Sequence, residues 1–380
     1  MTTHRYFATA ARGLEPLVAQ ELTQLGAQNV KPGFAGVSFT GDRALLYRVN
    51  LWGRLPFRVL QQIGTRPSQD ARQLYQGIQA IDWSQYLTPD QTFAVRATGK
   101  NQQLNHTHFT ALQVKNAVVD QQRRQFGARS DVEIDAPDLQ INVHIGKDTP
   151  KGSRATVSLD STGESLHRRG YRPAVGAAPL KETLAAALLR LAGWTPDQPF
   201  LDPLCGSGTL PIEAARQALN LAPGLGRSFA FETWPDFDPE LWEQQQAEAR
   251  AQQRHRLDIP VVGSDRDGEV IQQAQHNAQL AGVADHITLL ERDLVNLTPP
   301  ADHGVIICNP PYGDRLGTLE MLRPFYKQLG DTFKQRCRGW TAYVLCGNTD
   351  LAKHIGLRAS RRIPVFNGSI ECRLLRYELY

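Results

Sequence analysis

The sequence has no long apolar segment and few cysteines. No run of eighteen apolar residues occurs among its 380 residues, so no membrane-spanning helix is expected. The first ten residues lack the apolar stretch of a secretory signal peptide. The five cysteines form no C-x-x-C pair, which indicates reduced thiols in a cytoplasmic protein. His106 and His108 lie close together without further ligands in the sequence, so no metal site is expected.

The basic residues are concentrated in the first half of the chain, although the formal net charge is only +4. Residues 1–180 contain 21 Lys and Arg against 14 Asp and Glu, whereas residues 181–380 contain 21 against 24. Sixteen of the 21 basic residues in the first half are arginines, which suit bidentate contacts with phosphate. The asymmetry favours a polyanionic partner. Because enzymes without such a partner also have basic faces, charge alone leaves the partner open.

The pattern of apolar residues divides the chain into parts of different character. Up to residue 160, strands and helices mix irregularly, as in small α+β modules of the ferredoxin-like kind. From residue 179, short apolar strands alternate with helices, which is typical of a parallel, doubly wound sheet. Asn367-Gly368 is the turn signal of an antiparallel hairpin near the C-terminus. We therefore expect four segments: a ferredoxin-like module at 1–64, a second α+β module at 65–160, a linker at 161–178 and a nucleotide-type α/β domain at 179–380.

Strands and helices of the α/β domain are predicted from these patterns. The predicted strands lie at 199–201, 260–264, 287–290, 305–308 and 341–346, with the hairpin after 361. The predicted helices lie at 180–192, 208–220, 239–257, 267–281 and 319–336.

A glycine loop follows the first of these strands. The sequence FLDPLCGSGTL, from Phe200 to Leu210, places Asp202 at the strand end and Gly206 and Gly208 before a helix. Glycines let a ligand approach the backbone, and the helix N-terminus offers free N–H donors. No lysine follows the second glycine, so the loop is not a Walker loop, and a single G-x-G leaves a dinucleotide fingerprint incomplete. An acid here suits a ligand with a positive ammonium group, such as S-adenosylmethionine; a plain strand–helix turn is the alternative.

Two further acids follow the next two strands. Asp265 can accept two hydrogen bonds from ribose hydroxyls, or it can merely cap the helix that begins near Asp267. It lies 63 residues beyond the acid of the glycine loop, and we attribute this long spacing to an insertion at 216–258. Asp293 can accept a hydrogen bond from an adenine amino group, or it can be a solvated loop acid.

The most specific motif is Asn309-Pro310-Pro311-Tyr312, which follows an apolar strand. Two prolines make a stiff turn, because each fixes its own φ and restricts the residue before it. The Asn309 side-chain oxygen and the Pro310 carbonyl can then together accept the two hydrogens of a planar amino group. Tyr312 offers an aromatic face for an unstacked base. The motif therefore indicates methyl transfer to the exocyclic amino group of a nucleobase, with an ordinary proline-rich loop as the alternative.

The tetrad resembles the signature of methyltransferases that act on adenine N6, cytosine N4 and guanine N2. Four segments are similar to the THUMP-domain guanine-N2 RNA methyltransferases, and within them to those acting on large-subunit ribosomal RNA: Pro179–Ala187, Asp202–Thr209, Asn309–Gly317 and Asn367–Arg373. The resemblance covers nearly the whole chain. It implies a THUMP RNA-binding domain at 65–160 and a Rossmann-like class I methyltransferase domain at 179–380. The glutamine-rich insertion departs from the family. Some relatives carry a second methyltransferase domain, so a chain that stops at Tyr380 is expected to make one modification.

The resemblance and the motifs imply three groups of site residues. The cofactor S-adenosylmethionine is expected at Asp202, Leu204, Cys205, Gly206, Gly208, Thr209, Ser264, Asp265, Arg266, Asp293, Leu294 and Asn309. The target base is expected at Asn309, Pro310 and Tyr312. Structured RNA is expected at Arg96, Lys100, Arg123, Arg124, Arg168, Arg169 and Arg172; an ion-pair hinge between domains is the alternative for the last three. No obligate protein partner and no membrane contact are expected.

The expected reaction is direct transfer of a methyl group to N2 of a guanosine in large-subunit ribosomal RNA. Methylation of guanosine N2 in tRNA and of adenine N6 in DNA are alternatives with the same motif. A non-catalytic RNA-binding factor would not require the intact acids and the intact proline tetrad. A nicotinamide dehydrogenase is disfavoured by the incomplete dinucleotide loop.

Overall fold

The computed structural model describes residues 3–172, 180–312 and 319–380. The end of the predicted linker, residue 179 and residues 313–317 lie outside the described residues. Within them the chain forms one eight-stranded and one seven-stranded β-sheet.

The first sheet is built from residues 4–160. Its elements are β1 (His4–Thr9), α1 (Glu15–Gln24), β2 (Gln28–Gly33), β3 (Gly36–Gly41), α2 (Arg43–Trp52), β4 (Arg58–Pro67), α3 (Ala71–Gln79), β5 (Thr92–Gly99), α4 (Thr107–Phe126), β6 (Asp131–Val132), β7 (Leu139–Ile145) and β8 (Arg154–Asp160).

Strand β4 connects the two predicted N-terminal modules. The strand order is β2-β3-β1-β4-β8-β7-β5-β6, so β4 pairs with β1 on one side and with β8 on the other. The predicted boundary between residues 64 and 65 lies within this strand. All neighbouring strands are antiparallel except β5, which runs parallel to β6 and β7.

Helices cover one face of the second module. In β7 every second residue is apolar and buried: Leu139, Ile141, Val143 and Ile145. These side chains share one core with Val118 of α4, and α4 packs against both α3 and β5. His144, which lies between two of the buried residues, is exposed. The period of two in the sequence therefore reflects one covered face and one accessible face.

The second sheet follows the α/β pattern. Its strands are β9 (Phe200–Asp202), β10 (Val261–Asp265), β11 (Thr288–Glu291), β12 (Gly304–Cys308), β13 (Trp340–Cys346), β14 (Arg361–Asn367) and β15 (Ile370–Glu378). Its helices are α5 (Glu182–Leu191), α6 (Thr209–Ala218), α7 (Pro239–Ala251), α8 (Gly268–Leu280), α9 (Leu319–Arg336) and α10 (Thr349–His354).

The strand order of this sheet is β11-β10-β9-β12-β13-β15-β14. Strands β9 to β13 are parallel, whereas β15 is antiparallel to β13 and to β14. The carboxyl ends of β9, β10, β11 and β12 therefore meet at one edge, and the order changes direction at β9. Ligands of open α/β sheets bind at such a switch point.

The helix predicted at 239–257 was too long. Helix α7 ends at Ala251, since its buried stripe of Trp242, Gln245 and Ala249 stops there. The residues that follow are largely exposed and have no packing face to prolong the helix.

Polar contacts connect the first module to the α/β domain. The buried Glu21 of α1 forms an ion pair with Arg190 of α5 at 2.7 Å. Arg54 is buried, and its guanidinium donates to the Leu221 carbonyl oxygen at 2.7 Å. The two sheets are therefore joined through polar side chains, of which Glu21 and Arg54 are buried.

None of the helices among the described residues is long and apolar enough to cross a membrane. The same residues contain no group of three or more His, Cys, Asp or Glu placed to hold a metal ion. All five cysteines are free and buried. Burial raises the pKa of the Cys205 and Cys308 thiols well above the usual value, so both thiols are protonated and poor nucleophiles.

Candidate functional site

The predicted site residues of the α/β domain meet at one edge of the seven-stranded sheet. Asp202 ends β9, Asp265 ends β10, and Asn309 directly follows β12. Strand β9 pairs with both β10 and β12, so the three residues lie on adjacent strand ends. Asp293 follows β11 by two residues and extends the row by one strand. Parallel pairing thus gathers residues that are up to 107 positions apart in the sequence.

The glycine loop is held against β10 by two hydrogen bonds. The Cys205 N–H donates to the Ser264 carbonyl oxygen at 2.9 Å, and the Gly206 N–H donates to Asp265 Oδ2 at 3.1 Å. Gly208 has φ +84°, and a Cβ atom there would lie 3.1 Å from the Ala274 side chain. Glycine is required at this position because the backbone is left-handed and the next helix packs closely.

Asp202 is a buried carboxyl group. Its side chain is 2% exposed and accepts a hydrogen bond from the Leu204 N–H at 3.1 Å. Burial raises its pKa well above the usual value, and the nearby Asp265 adds to the rise. Since an uncompensated buried charge is costly, a cationic group bound beside Asp202 would favour its ionised form. The ammonium group of S-adenosylmethionine fits this requirement.

Asn309 has a buried acceptor that the described residues leave free. Its Oδ1 atom has no hydrogen-bond partner among them. The neighbouring Pro311 carbonyl oxygen accepts from the Tyr326 hydroxyl at 3.2 Å, which fixes the turn. A buried acceptor without a partner is costly, so a donor such as an amino group of a substrate fits at this position.

The Tyr312 ring is positioned by two contacts. Its hydroxyl oxygen accepts from Asn367 Nδ2 at 2.9 Å. Its ring packs on Gly347, where a Cβ atom would lie 2.2 Å from the ring. Burial raises the pKa of the Tyr312 hydroxyl, which therefore stays neutral. The prediction from sequence included Tyr312 but missed Asn367, 55 residues further on, as its partner. Asn367 was interpreted as part of a hairpin turn and of a segment similar to the family, without a role at the site.

The other predicted cofactor residues lie around this edge in different settings. Arg266 and Asp293 are exposed, and the Asp293 carboxylate accepts from the Val295 N–H at 3.0 Å. Leu294 is 6% exposed and packs in the core, so only its backbone lies at the edge. Thr209 is buried, and its hydroxyl accepts from Arg172 at 2.9 Å.

Five of the predicted RNA-binding residues are exposed. They are Arg96, Lys100, Arg123, Arg124 and Arg168. Arg96 lies within β5 and Lys100 directly follows it, and the next two lie in the last turn of α4. Arg168 forms an exposed ion pair with Glu164 at 2.8 Å. The structure therefore spreads these cations over a surface and does not gather them at one point.

The prediction that Arg169 contacts RNA was wrong. Its side chain is 1% exposed, and its Nε donates to Glu213 Oε1 at 3.1 Å. Its guanidinium also donates to the carbonyl oxygens of Arg54 and Leu166. Arg169 thus connects the first module to α6 of the α/β domain. The partner Glu213 lies 44 positions away, so a local run of arginines could not reveal it.

For Arg172 the structure shows the ion pair that was the alternative to an RNA contact. Its side chain is 10% exposed and forms an ion pair with Glu182 at 2.8 Å. Its second hydrogen bond goes to Thr209, the first residue of α6. Arg172 therefore supports the helix that follows the glycine loop.

The sheet topology, the glycine loop after β9 and the asparagine after β12, whose Oδ1 has no partner among the described residues, are those of a Rossmann-like methyltransferase domain. The chain belongs to the RMKL-like methyltransferase family, whose domain model matches residues 169–376. The THUMP domain matches residues 68–160, and the RlmL ferredoxin-like domain matches residues 5–60. The predicted family and fold class are confirmed.

Three relatives by sequence illustrate this membership. The Synechocystis protein slr0064, provisionally named an RNA methyltransferase, is 57% identical over 380 residues, which are the whole of this chain and 98% of that protein. Proteins named ribosomal RNA large subunit methyltransferase K/L from Syntrophotalea carbinolica and Methylococcus capsulatus are 43% and 41% identical over 99% of this chain. The alignments cover 53% and 51% of those two proteins, so the chain spans about half their length.

Two solved structures share the fold over the full chain. SMU.472, provisionally named a methyltransferase and crystallised with S-adenosylhomocysteine, has a TM-score of 0.89 and 33% identity, covering 100% of this chain and 99% of that one. A Listeria monocytogenes protein named as a predicted N6-adenine-specific DNA methylase has a TM-score of 0.88 and 33% identity, covering 100% and 97%. The chain is an S-adenosylmethionine-dependent methyltransferase, and the predicted cofactor is confirmed.

Proposed function

We propose that this chain transfers a methyl group from S-adenosylmethionine to the N2 amino group of a guanosine in large-subunit ribosomal RNA. The observation that carries the proposal is the buried Oδ1 of Asn309 after β12, which has no hydrogen-bond partner among residues 3–172, 180–312 and 319–380. Relatives named for large-subunit ribosomal RNA match 99% of this chain, and the THUMP match supports an RNA substrate. A ribosomal RNA substrate is also consistent with the predicted cytoplasmic location of the enzyme.

The predicted modules have separate tasks in this proposal. The ferredoxin-like module at 1–64 and the THUMP domain at 65–160 hold structured RNA, with Arg96, Lys100, Arg123, Arg124 and Arg168 as candidate contacts. The domain at 179–380, joined by the segment 161–178, binds the cofactor and the target base. The target nucleotide leaves its stack to reach the edge, at a cost of a few kcal/mol.

The chain's own residues position the reactants. The Asp202 carboxylate would accept hydrogen bonds from the ammonium group of the cofactor, and the Asp265 carboxylate from its ribose hydroxyls. The glycine loop leaves room for both parts of the cofactor. The cofactor supplies an electrophilic methyl group on a sulfonium. Asn309 Oδ1 and the Pro310 carbonyl accept the two amino hydrogens, and Tyr312 stacks on the base. The nitrogen lone pair is thereby directed to the methyl carbon, and orientation of this kind contributes ~7–11 kcal/mol in well-aligned systems.

Nucleoside mass spectrometry tests the substrate. Ribosomal RNA, tRNA and DNA are purified separately from cells with and without the gene. Loss of N2-methylguanosine from large-subunit ribosomal RNA alone is the expected result. Loss from tRNA would keep the chemistry and replace the substrate, whereas loss of a methylated adenine from DNA would overturn the assignment of the N-terminal half.

The variant Asn309→Ala tests the role of the asparagine. We expect kcat to fall about 10²–10³-fold, as for the removal of one positioned hydrogen-bonding group. The Kd of S-adenosylmethionine, measured by calorimetry, should stay within about twofold. An equal loss of turnover and cofactor binding would contradict the assigned role.

A further inference from the structure

The loop after β1 contacts the hairpin that supports the target-base residue. The Arg12 guanidinium lies 4.7 Å from the centre of the Phe366 ring. Phe366 precedes Asn367, whose side chain holds the Tyr312 hydroxyl. A Cβ atom on Gly13 would lie 3.9 Å from the Pro364 carbonyl oxygen. The ferredoxin-like module therefore lies beside the hairpin that carries the partner of Tyr312.

The β2–β3 turn reaches the same place. The Glu15 carboxylate accepts from the Gly13 N–H at 2.7 Å and from the Ala35 N–H at 3.2 Å. The Ala10 N–H donates to the Ala35 carbonyl oxygen at 3.0 Å. These bonds fix the turn against the loop and present the neighbouring Phe34 to solvent, with 91% of its surface exposed. An aromatic residue this exposed on a fixed turn has no packing role in the part of the chain that the structure describes.

We infer that the surface formed by residues 10–13, 33–36 and 364–370, named here the rim, binds the single-stranded nucleotides that flank the target base. This inference rests on the proposed function and adds where the RNA strand continues beyond the pocket. Exposed aromatic rings together with arginines bind unstacked bases and their phosphates. The rim places Phe34 and the Arg12–Phe366 pair beside the residues that position Tyr312.

The charge around the rim suits RNA. Residues 10–15, 31–36 and 361–373 carry five basic side chains against two acidic ones. One of the two acids, Glu15, already accepts two backbone hydrogen bonds. Ile370 at the hairpin tip is 47% exposed, which gives the rim an apolar surface for bases as well as charge for phosphates. Unstacked bases expose faces that aromatic and apolar side chains bind, and their phosphates bind arginines, so single-stranded RNA is the occupant that matches both properties.

Methylation kinetics with the full chain test the inference. The substrate is large-subunit ribosomal RNA transcribed without modifications. Phe34→Ala is expected to raise the KM for RNA about tenfold, within the range for loss of one stacked base. Arg12→Gln is expected to raise it less. Neither variant should change the KM for S-adenosylmethionine. The matched control is Tyr380→Ala, because Tyr380 is 88% exposed and lies at the other end of β15 from the hairpin tip.

A binding measurement keeps the test independent of the methylated position. A fluorescein-labelled, 12-nucleotide single-stranded RNA is titrated with each variant, and anisotropy is recorded beside a duplex of the same sequence. Phe34→Ala should weaken binding of the single strand and leave the duplex unaffected. If no ribosomal RNA is methylated by the wild type, the proposed function fails while this assay still decides on the rim. Equal behaviour of Phe34→Ala and Tyr380→Ala in both assays would overturn the inference. So would a defect seen only with ribosomal precursor particles, since that result would identify a protein partner.

Discussion

The two sheets organise functional residues in different ways. In the seven-stranded sheet, parallel strands end together, so Asp202, Asp265 and Asn309 meet at one edge. In the eight-stranded sheet, the exposed cations such as Arg96 and Arg124 lie on different elements and spread over a surface. The comparison shows that adjacent parallel strand ends bring a few side chains close enough to form a catalytic site. A sheet that is covered on one face instead offers a broad surface that can bind a large ligand.

Breaking the junction between the two sheets should have the largest effect. Arg169→Ala leaves Glu213 buried without its cation, so the free energy of unfolding should fall by about 3–5 kcal/mol. Arg168→Ala removes an exposed ion pair and should change it by less than about 1 kcal/mol. Urea denaturation of both variants measures the difference. A stable Arg169→Ala variant that fails only to bind RNA would restore the discarded prediction.

Lowering the pH should decrease the free energy of unfolding, because His167, which lies near the junction between the two sheets, becomes protonated. Burial lowers the pKa of the His167 imidazole from 6.5 to about 4, and the positive charges of Lys181, Arg168 and Arg172 add to the decrease. Between these values the unfolded chain binds more protons than the folded one, so stability is lost as the pH falls from about 6.5 to about 4. Because the imidazole is only partly buried, solvent screens part of this effect, and a loss of about 1 kcal/mol is expected. His167→Gln should remove this part of the pH dependence; identical denaturation curves against pH for wild type and variant would contradict the shift.

Cofactor affinity should change independently of RNA binding when the acids at the edge of the seven-stranded sheet are replaced. Asp265→Ala removes the acceptor of the Gly206 N–H and of the proposed ribose contact, so the Kd of S-adenosylmethionine should rise about 10–100-fold. RNA binding should stay unchanged. Asp267→Ala is the matched control, because this side chain caps α8 and should cost about 1 kcal/mol of stability only. Calorimetry with the cofactor measures both Kd values. Equal weakening by the two variants would contradict a direct contact between Asp265 and the cofactor.

The smallest effect is expected at the RNA-binding surface. Arg123→Gln and Arg124→Gln together should weaken RNA binding modestly. The slope of the logarithm of the binding constant against the logarithm of the salt concentration should fall by about one for each phosphate contact that is lost. Cofactor affinity should not change. Arg256→Gln, which alters an equally exposed arginine of the α/β domain, is the control. Anisotropy titrations at several salt concentrations measure the slope, and a slope that the double variant leaves unchanged would exclude these two arginines as phosphate ligands.

The elements with strong local patterns could be predicted from the sequence. Helix α9 has the predicted bounds of 319 and 336, and the short apolar strands β10 and β12 lie within one residue of their predicted positions. Strand β2 has no such pattern, because its residues are almost all exposed and include Pro32, so the alternation of a half-buried strand is absent.

The contacts that the sequence could not predict are those between side chains far apart in the chain. Asp202 and Asn309 could be assigned to one edge because parallel strands end together. Arg169 could not be assigned, since a buried arginine and a surface arginine look alike until the partner carboxylate is known. The same limit hid Asn367, whose contact with Tyr312 depends on how the C-terminal hairpin folds back beside β13.

Strand β4 has a consequence for how a target is chosen. Because it belongs to the ladders of both N-terminal modules, the two modules cannot rotate separately without breaking its hydrogen bonds. The ion pair between Glu21 and Arg190 attaches this unit to the α/β domain. The distance from the end of α4 to Asn309 is therefore set by the protein. Under the proposed function, with folded RNA held on the N-terminal modules, only a nucleotide at one fixed distance from the held RNA element reaches Asn309, and a matching base at another distance is not methylated.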